Sequence, residues 1–175
     1  MAKIPFKVSA RTARLIGREN IASSKGAIIE LVKNAYDADS SFCIVYFSSD
    51  SLYIIDAGEG MTQSIIINHW MTIGTNNKEV DYFTKSGRVK ANTKGIGRFA
   101  LDRLGFETEM WTLSKKAKNN SGSYWKMDWK QFDNDDKSIS DINAEITNLQ
   151  INLKEEILSL VNNTETLELI NSIDF

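Results

Sequence analysis

The chain has 175 residues, 42% of them hydrophobic and 25% charged, with a net charge of −2 and a single cysteine. That is enough for one domain with its own core. The lone Cys43 excludes an intrachain disulfide and suits a reducing compartment. No stretch approaches the roughly 20 apolar residues of a membrane span, and Met1–Lys7 lacks the apolar run of a signal peptide. The expected location is the cytoplasm, with no membrane partner. Charge is uneven: residues 1–132 carry 19 Lys+Arg against 13 Asp+Glu, residues 133–175 carry 2 against 10, and all ten glycines lie at or before Gly122. The chain therefore divides into a glycine-punctuated functional region, 1–132, and an acidic segment, 133–175. The cations Arg88, Lys90, Lys94, Arg98 and Arg103 crowd together, a field that suits a polyanion, although a solvated charged surface reads equally simply.

Residues 9–17 read as a short helix with its basic residues on one side. Ser23 or Ser24 caps a second helix running to about Ala38. Phe42–Phe47 is a buried strand by its β-forming composition. A second strand, Leu52–Ile55, stops at the turn Asp56-Ala57-Gly58-Glu59-Gly60. Thr62 caps a helix to about Met71. Residues 74–94 lack periodicity and read as a long mobile loop. Gly97–Leu104 is a short helix ended by Gly105. Strand-like runs follow at Phe106–Leu113 and Ser123–Trp129, and Ile151–Val161 suits a terminal helix. Helices and strands mix without βα alternation, so the fold class is α+β.

Three constellations carry chemistry. On the second helix Glu30, Asn34 and Asp37 are spaced i, i+4, i+7 and share one face. The Asn34 amide oxygen suits Mg²⁺, a hard cation that prefers oxygen. Glu30, one turn away, can take a proton from a water attacking a phosphate. At the end of the second strand, Asp56 can accept a hydrogen bond from the exocyclic amine of adenine, where guanine presents a carbonyl oxygen. Gly58 and Gly60 admit a flat ring, and Met61 can pack on it. In Lys94-Gly95-Ile96-Gly97-Arg98-Phe99-Ala100, glycines lead into a helix whose amides can face a phosphate; the segment is not a Walker A motif. The other notable residues read structurally: His69 lies within a helix pattern, Cys43 mid-strand, and Trp111, Trp125 and Trp129 in a core or on a sheet face.

In this order, ELVKNAYDAD (Glu30–Asp39), IIDAGEGM (Ile54–Met61), IGTNNK (Ile73–Lys78) and KGIGRFALDRLG (Lys94–Gly105) resemble the GHKL ATPases over about residues 10–130. These comprise type II topoisomerase ATPase domains, heat-shock chaperone N-domains, histidine-kinase catalytic domains and MutL proteins. The E-x-x-x-N-A-x-D-A pattern is similar to the chaperone, MutL and MORC side. The resemblance implies a two-layer α/β sandwich with helices on one face of a mixed sheet, binding ATP and Mg²⁺. It makes Glu30 the general base, Asn34 the metal ligand and Asp37 a pocket residue. Asp56 would read adenine, with Gly58, Gly60 and Met61 lining the base pocket. Gly95, Ile96, Gly97, Arg98 and Phe99 would border the phosphates. Residues 74–94 would form a lid, with Gly74, Thr75 and Lys78 at its first hinge. Thr112 would be the hydroxyl that supports the adenine-reading Asp.

Relatives often add a transducer domain whose lysine reaches the γ-phosphate. The resemblance therefore implies slow hydrolysis by this chain alone, an ATP-dependent homodimer, and a protein partner or further domains. The other readings are a nucleotide sensor that barely turns ATP over, a histidine-kinase catalytic domain, and a nucleic-acid binding module. The acidic segment 133–175 matches no family pattern; it reads as a variant closing element or as the start of a longer protein.

Overall fold

In the computed structural model, residues 3–5, 7–73, 82–91, 97–161 and 163–172 are described. The first helix, α1 (Ala10–Asn20), begins where the Ser9 hydroxyl accepts from the Thr12 amide at 3.2 Å. Its buried residues Ala10, Ala13 and Gly17 make a small-residue stripe that lets other elements approach closely. Phe99 occupies that room: a Cβ on Gly17 would lie 2.4 Å from the Phe99 Cβ. The second helix, α2 (Ser24–Asp37), is capped by Ser23, which accepts from the Gly26 amide at 3.1 Å.

Strands β1 (Cys43–Phe47) and β2 (Leu52–Asp56) form an antiparallel hairpin in which Cys43 pairs with Asp56 and Phe47 with Leu52. A second antiparallel sheet has the order β3 (Glu107–Thr112), β4 (Ser121–Asp128), β5 (Glu145–Gln150). The α+β class is as expected. The described strands, however, form two antiparallel sheets where one mixed sheet was expected. The sheets meet where the Lys115 amide donates to the Glu59 carbonyl at 3.0 Å. Among the described residues α2 is the element packed most closely against the β1–β2 hairpin, which is half-buried, and Phe47 is exposed. The helix predicted after Thr62 begins as the short α3 (Gln63–Ile65). It widens into a π-helical turn at Ile66–Trp70, a form often found at functional sites.

The core lies between α1, the π-turn and the three-stranded sheet. Trp125, Met127 and Trp129 sit at i, i+2, i+4 and are buried together with Ile66, Phe99 and Phe132, as a strand with one covered face requires. The Trp129 indole donates to the Thr108 hydroxyl at 2.9 Å. The acidic segment folds into this body. Its strand β5 closes the second sheet, and Lys137–Ile139 bonds to the chain around Val8–Ala10. Asp133 and Asp135 pair with Arg14 and Arg11 of α1. Helices α5 (Leu153–Leu160) and α6 (Thr164–Ser172) follow, with Ile151, Val161 and Ile170 buried beside them.

Helix α4 (Ala100–Leu104) is preceded by a 3₁₀ turn at Gly97–Phe99 and is held to α1 by charge. The Asp102 side chain is fully buried. It accepts from Arg14 Nε at 2.8 and 2.9 Å and from Arg18 Nε at 2.8 Å. Arg103 donates to the carbonyls of Arg18 and Ile21, both at 3.0 Å, and so closes the C-terminal end of α1. Removing one member of a buried ion pair leaves its partner charge uncompensated. Asp102→Ala should therefore lower the unfolding free energy in urea by about 3–5 kcal/mol. A loss under about 1 kcal/mol would show that the cluster is not what fixes α4.

Candidate functional site

The site is built around the middle of α2 and its C-terminal end. Glu30 and Asn34 face Gly97 in the last turn before α4. A Cβ placed on Gly97 would lie 3.5 Å from Asn34 Nδ2, 3.7 Å from Asn34 Oδ1 and 4.0 Å from Glu30 Oε2. Lys33 Nζ holds the other carboxylate oxygen, Glu30 Oε1, at 2.8 Å. Two constellations more than sixty residues apart in sequence are thus in contact.

The third constellation is joined to the C-terminal end of the same helix. The Ala57 amide donates to Ser40 Oγ at 2.8 Å, the Glu59 amide to the Ala38 carbonyl at 2.8 Å, and the Ser40 hydroxyl to the Phe42 carbonyl. Asp56 stands exposed at the end of β2, with Oδ1 fixed by the Gly58 amide at 2.8 Å. A side chain on Gly58 would fall 2.7 Å from the Ala38 Cβ. Gly60 has φ +63°, and a Cβ there would lie 2.0 Å from the Leu113 carbonyl oxygen. The Met61 amide donates to the buried Thr112 hydroxyl at 2.8 Å. Thr112 thus secures the glycine turn through Met61, five residues beyond the aspartate it was expected to support.

Within the stretch read as a structureless loop, residues 82–91 form a hairpin. Phe83 is bridged to Val89, the Thr84 amide donates to the Arg88 carbonyl at 2.8 Å, and Gly87 turns the chain at φ +85°. The hairpin is seated on the end of α2. Asp37 Oδ1 accepts from the Ala91 amide at 2.7 Å, Asp39 holds Ser86, and Arg88 donates to the Ser40 carbonyl at 2.8 Å and lies over the Tyr36 ring. Lys85 pairs with Glu59. That hydrogen bond holds the Glu59 carboxyl below its ordinary range.

Two expected site residues are placed elsewhere. The Phe99 side chain is buried against Trp129 and Phe132. Arg98 donates to the His69 carbonyl at 3.2 Å and lies over the Trp70 ring. Burial pulls its guanidinium down to about 10, so it stays charged at neutral pH. Both line an apolar cavity of about 80 Å³ with Trp70, Trp125, Trp129 and Phe132. That cavity reaches neither Asp56 nor Glu30, and it is too small for a nucleotide. Gly74, Thr75, Lys78, Gly95 and Ile96 lie outside the described residues. The expected cationic field is partly used inside the fold: Arg103 caps α1, and Arg88 is bound to Ser40 and Tyr36. Burial also raises the Cys43 thiol, which keeps it protonated.

The sequence reading did not single out Ser40 or Asp39. A hydroxyl and a second carboxylate directly after the helix-ending Asp37-Ala38 are the signal that was there to read.

The model of the histidine kinase-, DNA gyrase B- and HSP90-like ATPase family matches residues 22–159. The chain belongs to that family, the GHKL ATPases. No curated protein sequence matches it. The matched span includes β5, so the family pattern extends into the acidic segment.

Gly60 and Gly87 separate steric need from conformational need. Nothing lies within 4 Å of a Cβ on Gly87, whereas one on Gly60 meets backbone. Gly87→Ala should cost only the left-handed strain, about 1–2 kcal/mol. Gly60→Ala should cost clearly more, because backbone must move. Thermal melts of the two variants compare them; equal losses would contradict the close approach.

Proposed function

We propose that this chain binds ATP with Mg²⁺ between the middle of α2 and its C-terminal end and hydrolyses it slowly, with Glu30 as general base. The observation that carries this reading is that a Cβ placed on Gly97 would lie within 4.0 Å of Asn34 and Glu30, while Asp56 is tied to the C-terminal end of the same helix through Ala57 and Ser40. In this reading Asp56 accepts from the adenine amine, Gly58, Gly60 and Met61 form the floor of the base pocket, and the backbone around Gly97 borders the phosphates. The donor chemistry fits Mg²⁺: one neutral amide oxygen on Asn34 beside a carboxylate, with room left for phosphate oxygens and water. The metal would neutralise phosphate charge during transfer. Glu30 Oε2 faces the Gly97 side and accepts the proton of the attacking water as the bond from phosphorus to the ADP oxygen breaks.

Lys33 Nζ occupies Glu30 Oε1 and so competes with the attacking water for the carboxylate, which supports slow turnover and keeps the nucleotide-sensor reading in view. Glu30 and Asp37 in one motif favour the chaperone, MutL and MORC side of the family over the histidine kinases. An ATP-dependent homodimer is the partner state this implies.

Two measurements test the site. Asp56→Asn should weaken ATP binding by roughly 10- to 150-fold, the equivalent of about 1.5–3 kcal/mol for one charge-assisted hydrogen bond. Wild type should bind ATP with Mg²⁺ far better than GTP; equal affinity would sink the adenine assignment. Glu30→Ala should abolish phosphate release and leave binding of ATP within about threefold of wild type. Phosphate release that survives this change would remove Glu30 from the base role. ATP binding without release in wild type would establish the sensor.

A further inference from the structure

We propose that Asp39 is a positioning residue: its carboxylate latches the hairpin 82–91 onto the end of α2 and thereby sets how fast nucleotide leaves the base end of the site. The proposal rests on the ATP-site reading given above.

Asp39 follows α2 at φ +60°, a left-handed conformation that non-glycine side chains seldom adopt. Aspartate tolerates it better than most residues. That backbone turns the carboxylate toward the hairpin. Asp39 Oδ2 accepts from the Ser86 amide at 3.1 Å, Oδ1 accepts from the Ser86 hydroxyl, and Arg88 Nε stands 4.0 Å away. These bonds, led by that of the Ser86 hydroxyl, hold the carboxyl near 2, so it is ionised throughout the working pH range.

The hairpin tip so held reaches the base end of the site, because Lys85, next to Ser86, pairs with Glu59 between the two glycines of the β2 turn. Hydrogen bonds to an ionised acceptor are about twice as strong as neutral ones, and this acceptor is fixed by the rigid end of a helix. The hairpin's own turn, by contrast, centres on Gly87, which has open space around it.

The left-handed φ supplies the test. Asp39→Gly keeps the backbone conformation and removes the carboxylate. Asp39→Asn keeps an acceptor and tolerates the φ. Ser86→Ala removes the hydroxyl bond from the hairpin side without touching α2 and leaves the Ser86 amide bond to Asp39 in place. A fluorescent ATP analogue released in a stopped-flow chase, with amide hydrogen exchange at Ser86 and Ala91, reads the effect.

The expected result is release about tenfold faster in Asp39→Gly, with faster exchange at Ser86 and unchanged melting temperature, and with Ser86→Ala and Asp39→Asn between it and wild type. Release at the wild-type rate in both Asp39→Gly and Ser86→Ala would overturn the latch while leaving the nucleotide site standing. A wild-type chain that holds no ATP analogue would overturn the site reading and the latch with it.

Discussion

The buried Asp102 carboxylate, shared between Arg14 and Arg18, is the interaction on which the arrangement of the site depends. Helix α4 has only five residues and cannot hold a position by its own propensity. What places it is the pairing to α1, the seating of Phe99 on Gly17 and the packing of Ala100 and Leu104 with Ala27 and Leu31 of α2. Gly97 immediately precedes this pinned turn, so the cluster also decides where the glycine segment meets Glu30 and Asn34. A buried ion pair is weak evidence for stability when compared with a well-packed apolar substitute. Its use here is geometric: two arginines one turn apart on α1 can converge on one carboxylate in a single register of α4.

The charge asymmetry of the sequence finds its account in the same region. The basic face of α1 meets the start of the acidic segment, with Arg14 on Asp133 and Arg11 on Asp135. Arg11 and Asp135 are largely exposed, so that pair contributes little. Arg14 is buried and bridges Asp102 and Asp133, so it links α1, α4 and the turn after β4. Part of what composition presents as a field for a polyanion is thus internal neutralisation.

The elements with strong local signals were legible in the sequence. Ser23 and Thr62 cap where hydroxyls precede helical patterns, and β4 alternates Ser123, Trp125 and Met127 inward. The parts that were missed lack such signals. Strand β5 presents Glu145, Thr147, Asn148 and Gln150 to solvent, as an edge strand with one neighbour does, and so shows no clear hydrophobic period. The hairpin at 82–91 is fixed by contacts to Asp37, Asp39 and Glu59, which no window of local sequence contains. In the site, the helix spacing put Glu30, Asn34 and Asp37 on one face. It could not show that Asp37 would face Ala91 while Glu30 and Asn34 face Gly97.

That division along α2 gives the site its logic. The rise of an α-helix separates Glu30 from Asp37 by about 10 Å, so the chemistry at Gly97 and the contacts of the base-reading turn are held apart by a rigid element. In the proposed reading ATP touches both, with its flat base at the Asp56 end and its Mg²⁺-bound phosphates at the Glu30 and Asn34 end. The distal end carries more of the structural load. Ala38 and Ser40 hold the β2 turn, while Asp37 and Asp39 hold the hairpin. Because both attach to consecutive residues at the same helix end, the base-reading turn and the hairpin share one support. In the proposed reading, occupancy at Asp56 and the pose of the hairpin would be linked through the three or four residues of this shared support.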